Sequence, residues 1–340
     1  MRTKSALQVH VIDEDVTDEP KPVEEVLEIF VRVNSAGLVL QKSDLLMSLL
    51  DIKWNEVQQD LNRGINEINA QRPFSIGRDD LLKSLLLAHG SDTRFDRLVA
   101  DRDRVRQLAK ELPNLLSNVL SAWKLLLVLL MDRCKITCER FVRSHNSLLP
   151  FVNYYFSNPR PGPTEERRLV TGLYISLMSG IFAGAEARMG KFAREQCVMG
   201  KPFPLDALAN TVREHYGIRG LNELLSRDLD LTLNIAHGGV TLNNNPDELQ
   251  RDHIFPRALL QADGIPDAQI NHYANFHFLR AKDNLNKSAT PPHEWFRKPG
   301  NQAAYSDADL SERHLNWELL QPPKFLEMLE ARSKKIQERA

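Results

Sequence analysis

The sequence predicts a mainly α-helical protein with a small α+β part near its C-terminal end. From Trp54 to about Asn234, apolar residues recur at helical spacing, interrupted by turns rich in proline, glycine and asparagine. Further along, Asp252 and His253 stand where a short strand would end, and the apolar residues of 275–279 suit a second strand. A polar turn around Asn284 then resembles a helix start.

Length and composition set the limits of the functional assignment. A chain of 340 residues is long enough for two domains or one large one, and its 42% hydrophobic residues can bury a substantial core. The formal net charge of −1 gives no global sign of nucleic-acid binding, so such binding would depend on a local basic patch. Between Arg251 and Gly300 seven bases face five acids, a local excess of two.

The three cysteines, Cys134, Cys138 and Cys197, form neither a CxxC pair nor a disulfide framework, and buried thiols are expected rather than zinc ligands. No signal peptide is visible, which together with the cysteine usage predicts a cytoplasmic location. The longest apolar run, residues 125–131, is too short to span a bilayer and predicts a buried helix.

The chain before Trp54 is predicted to hold a strand over 7–12, an amphipathic helix over 23–33, and a helix through Leu50 that Ser43 and Asp44 cap. Further helices are expected over 79–87, 101–111, 115–131, 135–156 with a break at Pro150, from Thr164 onward, 205–215 and 325–336. Residues 234–250 have the composition of a linker.

The most informative stretch is an ordered set of polar residues. Asp252 and His253 are followed by two apolar residues and Pro256, then by Asn275, which lies 22 positions after His253 (275 − 253). Asn284 follows nine positions later (284 − 275). If Asp252 and His253 end a strand, their side chains point to opposite faces, so one can ligate a metal while the other faces a substrate.

The pattern Asp-His-Ile-Phe-Pro, Asn-x-x-x-Leu and Asp-Asn-x-x-Lys-Ser resembles the HNH (His-Me finger) nuclease motif. The form that it resembles is the C-terminal nuclease domain of GmrSD-like type IV restriction endonucleases, and the HNH domain of RNA-guided CRISPR nucleases shows a similar progression. The resemblance implies a ββα-metal nuclease domain, placed at 241–340, that uses Mg²⁺ (or Mn²⁺) to cleave DNA in defence against phage.

The chemistry of phosphodiester hydrolysis agrees with these residue types. A neutral imidazole is a suitable base near pH 7, and a hard cation takes carboxylate and amide oxygens as ligands. We therefore assign His253 as the base, Asp252 and Asn284 as metal ligands, and Asn275 as the residue that holds the His253 loop or ring. Two alternatives remain open at this level. In the first, Asn286 replaces Asn284 or His277 enters the site. In the second, Asp252 caps a turn, His253 is a hydrogen-bonded polar residue without a catalytic role, and both asparagines lie in turns.

Residues 28–40 resemble the second half of the nucleotidase-like (ParB-like) domain of the same family, with Ala36 at a family glycine position. Residues 1–53 are therefore interpreted as a remnant of that domain, and 54–240 as a helical region. The family's Asp-Gly-Gln-Gln-Arg nucleotide segment and a GxxxxGK[ST] loop are both missing from the sequence, so nucleotide hydrolysis is not expected. A separate nucleotidase-like subunit, or a homo-oligomer, is the partner that this implies.

The leading function is thus metal-dependent cleavage of DNA in restriction of foreign or modified DNA. The candidates for phosphate contacts are the basic residues that flank the motif: Arg280, Lys282, Lys287, Arg297 and Lys298. The alternative function is a non-catalytic DNA-binding or regulatory subunit of a split restriction system. A nuclease that acts on RNA is a third hypothesis, because the same chemistry cleaves either backbone.

Overall fold

The computed structural model describes residues 42–51, 53–70, 74–239, 249–302 and 305–340. Within these residues the protein is mainly helical and has one two-stranded antiparallel sheet. A mainly α fold with a small β part is therefore confirmed. The strand predicted over 7–12, the helix over 23–33 and the nucleotidase-like block over 28–40 lie outside the described residues.

Twelve α-helices precede the sheet in the described chain. They are α1 (Lys42–Asp51), α2 (Val57–Asn69), α3 (Arg78–Ala88), α4 (Phe95–Leu98), α5 (Arg102–Glu111), α6 (Leu116–Val128), α7 (Leu149–Ser157), α8 (Pro163–Ser179), α9 (Glu186–Gln196), α10 (Leu205–Tyr216), α11 (Leu221–Arg227) and α12 (Leu229–Ala236). The helices predicted over 79–87, 101–111 and 205–215, and the one starting at Thr164, are confirmed to within one or two residues.

The continuous helical character predicted over 135–156 is wrong. Two short 3-10 turns, Glu139–Phe141 and His145–Ser147, occupy its first part, and α7 begins only at Leu149. Pro150 lies in the first turn of α7, where its missing N–H costs no intrahelical hydrogen bond. The proline therefore marks the start of a helix and does not kink one.

The core of the helical region is centred on α6. Trp123 is fully buried, and its Nε1 donates a hydrogen bond to Oγ of Ser84 in α3 at 2.9 Å. Helix α8 approaches its neighbours closely at Gly172, where a Cβ would lie 2.6 Å from a ring carbon of Phe203. The Phe203 ring in turn stacks on Phe151 with a centroid distance of 4.6 Å. A side chain at position 172 would push these rings apart.

Helix α6 belongs to a longer helical run, Asp103–Arg133, which is the one run in the described chain long and apolar enough to cross a membrane by length and composition. Its inner face, including Leu126, Leu127 and Leu130, is buried, whereas Leu125 and Val128 are partly exposed. A core helix passes the same test. The helix expected at 125–131 is thus present within this run, and it is buried on one side only.

The thiols follow the sequence prediction for two of the three cysteines. Cys134 and Cys197 are buried, and Cys138 is half-buried. All three are free. Burial raises the pKa of Cys134 to about 12, so this thiol stays protonated at neutral pH.

A half-buried ion cluster links α3 to the two 3-10 turns before α7. Nδ1 of His145 lies 2.7 Å from Oδ2 of Asp80, and Nε2 lies 2.5 Å from Oε1 of Glu139. Burial lowers the pKa of His145, but the hydrogen bonds and charges of Asp80 and Glu139 outweigh this and raise the pKa to about 9. His145 is therefore charged at neutral pH.

We expect the free energy of unfolding to fall by about 2–3 kcal/mol as the pH rises from about 6.5 to above 9. A raised pKa contributes stability in full below the unfolded-state pKa, and this stability is lost as the pH rises through the folded-state pKa. Urea denaturation of the wild type and of His145→Gln at about pH 6 and about pH 10 measures the effect. The variant should be less stable at low pH and show a flatter pH profile; parallel profiles would contradict the assignment.

The C-terminal part is built on strand β1 (Leu249–His253) and strand β2 (Phe276–Arg280). They pair antiparallel, with Asp252 opposite His277 and His253 opposite Phe276. The remaining elements are α13 (Arg257–Ala262), α14 (Asp267–Ile270), a 3-10 turn (Tyr273–Asn275), α15 (Ala281–Lys287), α16 (Pro292–Trp295), α17 (Pro299–Gln302), α18 (Asp307–Glu312), the 3-10 turns Trp317–Leu319 and Pro322–Lys324, and α19 (Phe325–Arg339).

The two strands predicted around 252–253 and 275–279 are therefore present, and β2 runs directly into α15. Arg280 is the N-cap of α15, so Asn284 lies inside the helix and not at its start. The helix predicted over 325–336 is confirmed as α19.

An ion network joins β1 to the helical region. Asp230 in α12 accepts two hydrogen bonds from Arg251 of β1, at 2.7 and 2.9 Å, and two from Arg140, at 3.2 and 3.1 Å. Arg140 also donates to the carbonyl of Leu249 at 2.8 Å. The strand that carries Asp252 and His253 is thus held by the helical region.

The last helix holds the other side of the hairpin. Arg332 of α19 is 1% exposed, and its Nη1 donates to the carbonyls of Ala274 at 2.7 Å and Phe276 at 2.6 Å. These bonds fix the entry into β2. The hairpin is therefore supported from both directions.

Candidate functional site

The two faces of the hairpin separate the adjacent residues Asp252 and His253. Successive side chains of a strand alternate between faces, and directly paired residues share one. Asp252 therefore shares its face with His277, and His253 shares the other with Phe276. Helix α15 packs on the Asp252 face. The two side chains therefore point to opposite faces, as the sequence predicts.

Asp252 is a nearly buried carboxylate with two donors. Its Oδ2 accepts hydrogen bonds from Nε2 of His277 at 3.0 Å and from Nζ of Lys287 at 2.6 Å. Burial by itself raises the pKa of Asp252, but the His277 hydrogen bond and the Lys287 charge outweigh it, and the pKa lies below its usual value. Asp252 is therefore ionised at neutral pH.

His277 does enter the site, as the sequence left open. Its side chain is fully buried, and burial lowers its pKa to about 4 against the opposing effect of Asp252. A neutral imidazole has one N–H, and here Nε2 donates it to Asp252. His277 thus orients the carboxylate.

Lys287 does not contact solvent, so its predicted role as a phosphate contact is wrong. Its side chain is 0% exposed, and its ammonium donates to Asp252 and to the carbonyl of His253. The physical reason is its position three residues after Asn284, which places both side chains on the face of α15 that meets β1. Its hydrogen bonds instead join the site residues to each other.

Asn275 is fully buried and fastens the segment that follows His253. Its Oδ1 accepts from the N–H of Phe255 at 3.0 Å. Its Nδ2 donates to the carbonyls of Phe255 at 3.3 Å and Ile270 at 2.9 Å. The sequence analysis left open whether Asn275 holds the loop after His253 or the His253 ring. These contacts are with the loop.

His253 is half-buried, and its ring lies 4.2 Å from the ring of Phe276. Nε2 lies 3.1 Å from Oδ1 of Asn271, an oxygen that only accepts, so Nε2 carries the proton and Nδ1 is the basic nitrogen. Burial lowers the pKa of His253, with a partial offset from Asn271 and from the charge of Asp252. The imidazole is therefore neutral at pH 7.

Asn271 is a site residue that the sequence analysis missed. It lies just after α14, and nothing in the local pattern distinguishes it from an ordinary turn residue. Only the fold of the loop between β1 and β2 brings it to His253.

Asn284 faces β1 from α15, but its partner is not Asp252. Its Nδ2 donates to Oε1 of Gln250 at 2.8 Å. Gln250 is two residues before Asp252 and so lies on the same face of the strand. Asn286 is exposed. Asn284 is therefore the asparagine beside the Asp252 face, and the structure does not join the two side chains directly.

Asp252 and Asn284 carry side-chain oxygens of the kind that a hard cation takes as ligands. Mg²⁺ prefers carboxylate and carbonyl oxygens and retains several waters. Both hydrogen bonds that described side chains donate to Asp252 end on Oδ2, which leaves Oδ1, and the bond from Asn284 to Gln250 uses the amide nitrogen and leaves the oxygen. In the described ranges, no group of three or more His, Cys, Asp or Glu side chains is placed to hold a metal ion.

The other basic residues predicted to contact phosphate lie on the surface. Arg280, Lys282, Arg297 and Lys298 are exposed. The guanidinium of Arg297 lies over the ring of Trp317 at 4.2 Å, which limits its freedom of movement. Four of the five candidates thus remain accessible to a nucleic acid.

No protein-family model matches the chain, and no curated protein sequence matches it. The functional assignment therefore rests on the residues and geometry described above.

Proposed function

We propose that this protein is a metal-dependent endonuclease of the HNH type that hydrolyses phosphodiester bonds in DNA. One observation carries the proposal: a neutral, half-exposed His253 stands beside an ionised Asp252 at the end of a strand. Asn284 faces the same strand from the following helix. The resemblance of the sequence to the HNH motif supplies the reaction class.

In this proposal, Nδ1 of His253 accepts a proton from the water that attacks phosphorus. Asn271 holds the opposite ring nitrogen, and Asn275 holds the loop after His253, so the basic nitrogen has a defined direction. Asp252 and Asn284 would hold Mg²⁺, which when bound neutralises charge on the phosphate and the leaving oxygen. His277 keeps the Asp252 carboxylate oriented.

The biological setting belongs to the same proposal. We infer a nuclease domain at 241–340, a helical region at 54–240, and a cytoplasmic role in restriction of foreign or modified DNA. Its partners would be DNA and either a separate nucleotidase-like subunit or a second copy of the chain. The exposed bases Arg280, Lys282, Arg297 and Lys298 would contact backbone phosphates, which positions DNA without sequence readout.

A plasmid-nicking assay tests the proposal. We expect nicked circles with Mg²⁺ or Mn²⁺, none with EDTA, and recovery when excess Mg²⁺ is restored, because the proposed reaction depends on the cation. Both unmodified plasmid and plasmid with modified bases should be used, with RNA of equal length in parallel. Faster cleavage of RNA would change the substrate class, and no cleavage of any substrate would contradict the proposal.

One observation favours the non-catalytic alternative. The Lys287 ammonium pairs with Asp252, so this carboxylate has a structural partner without any metal. A regulatory subunit would retard DNA in a mobility-shift assay but would not nick it, whichever metal is added. The two assays together therefore separate the alternatives.

A further inference from the structure

We propose that the Lys287 ammonium acts as an internal cation that neutralises the Asp252 carboxylate when no metal is bound. In this role it sets the affinity of the site for a divalent cation. This inference rests on the proposed function, because it concerns the metal that the nuclease would use. It gives Lys287 a positioning role in place of the DNA contact expected from the sequence.

The first support is the burial of the ammonium. Lysine is almost never fully buried unless it is paired, since removing its charge from water is costly. Lys287 is 0% exposed, and its Nζ lies 2.6 Å from Oδ2 of Asp252. The charge of Asp252 is therefore what makes this burial tolerable.

The second support is the way in which the contacts converge. Lys287 from α15 and His277 from β2 both donate to Oδ2 of Asp252, so the plane of the carboxyl group is held from two elements. The same ammonium donates to the carbonyl of His253. One cation thus ties together the proposed metal ligand and the backbone of the proposed base.

This arrangement has an electrostatic consequence. A divalent cation that approaches Asp252 meets a positive charge already placed at hydrogen-bond distance from the carboxylate. Charges at this separation interact strongly near a protein surface, so Lys287 weakens the binding of the metal to the free protein. A DNA phosphate adds negative charge and offsets the repulsion. The site would then fill with metal mainly when substrate is present.

The test measures Mn²⁺ binding to the full chain in the absence of DNA, with electron paramagnetic resonance as the method of detection. We expect Lys287→Met to bind Mn²⁺ at least about tenfold more tightly than the wild type, because the repelling charge is removed. Lys287→Arg keeps the charge and should stay near the wild-type affinity. Lys282→Met, which removes an exposed charge from the same helix, is the matched control and should change the affinity little.

Asp252→Asn, alone and combined with Lys287→Met, shows whether the binding measured is at this site. If circular dichroism shows that Lys287→Met is unfolded, Lys287→Gln takes its place. This variant removes the charge but keeps an amide donor, and it should show the same increase in Mn²⁺ affinity. Asp252-dependent binding that is unchanged or weaker in the neutral variant overturns this inference alone. If neither the wild type nor any Lys287 variant binds Mn²⁺ through Asp252, the metal-dependent function fails with it.

Discussion

His253→Ala is expected to reduce metal-dependent nicking by about 10²–10⁴-fold, the usual contribution of a general base. The ring is half-buried, and the contacts that position it are the Phe276 ring and Asn271. Little of the fold depends on these contacts, so circular dichroism and DNA affinity should be close to wild type. The loss should therefore appear in the cleavage rate and not in the amount of folded protein.

His272→Ala is the matched control for this experiment. His272 is also half-buried, lies in the same loop, and stacks against Tyr273 at 4.3 Å. Its Nδ1 accepts a hydrogen bond from the N–H of Ala274 at 3.2 Å, so its role is local. Nicking by His272→Ala should stay within a few-fold of wild type. Equal nicking by His253→Ala and the wild type would show that another group is the base.

Asn275→Leu is expected to lower the free energy of unfolding by about 3 kcal/mol or more. The substitution keeps the approximate volume but leaves three buried backbone groups of Phe255 and Ile270 without their side-chain partner. Each such group costs about 1–3 kcal/mol. Urea denaturation measures the change.

Asn286→Leu replaces an exposed asparagine and should change the stability by no more than about 0.5 kcal/mol. Asn275→Asp keeps the acceptor for the Phe255 N–H but turns a second oxygen toward the carbonyls of Phe255 and Ile270 in a fully buried position, so it should be at least as destabilising as Asn275→Leu. Because Asn275 fastens the segment after His253, folded Asn275→Leu should also nick DNA more slowly. A stability loss below about 1 kcal/mol would mean that backbone bonds, such as Ile254 N–H to the Asn275 carbonyl, hold the loop by themselves.

The sequence by itself determined the local structure of most of the described chain. The helix predicted over 101–111 is α5, and Asp101 caps it by accepting the Arg104 N–H at 3.0 Å. The alternation along β1 correctly predicted that Asp252 and His253 face opposite ways. These features depend on residues within a few positions of each other, so the pattern alone is sufficient to predict them.

Pro150 shows where local pattern is ambiguous. A proline indicates that a helix is interrupted, but it is equally compatible with the first turn of a new helix. In the structure two 3-10 turns precede α7, and His145 in the second of them pairs with Asp80 and Glu139. The sequence does not show these contacts, since Asp80 and His145 are far apart along the chain.

Only the tertiary structure decided how the candidate site is connected. Lysine is usually exposed, so the sequence predicts Lys287 as a DNA contact, whereas α15 packs on β1 and buries this side chain against Asp252. His277 became a partner of Asp252 through the register of two strands whose paired residues are 25 positions apart. Asn271 reached His253 through the fold of a loop. Local propensity determines the backbone of each element, whereas contacts between distant residues depend on how the elements pack, and the roles in this site depend on those contacts.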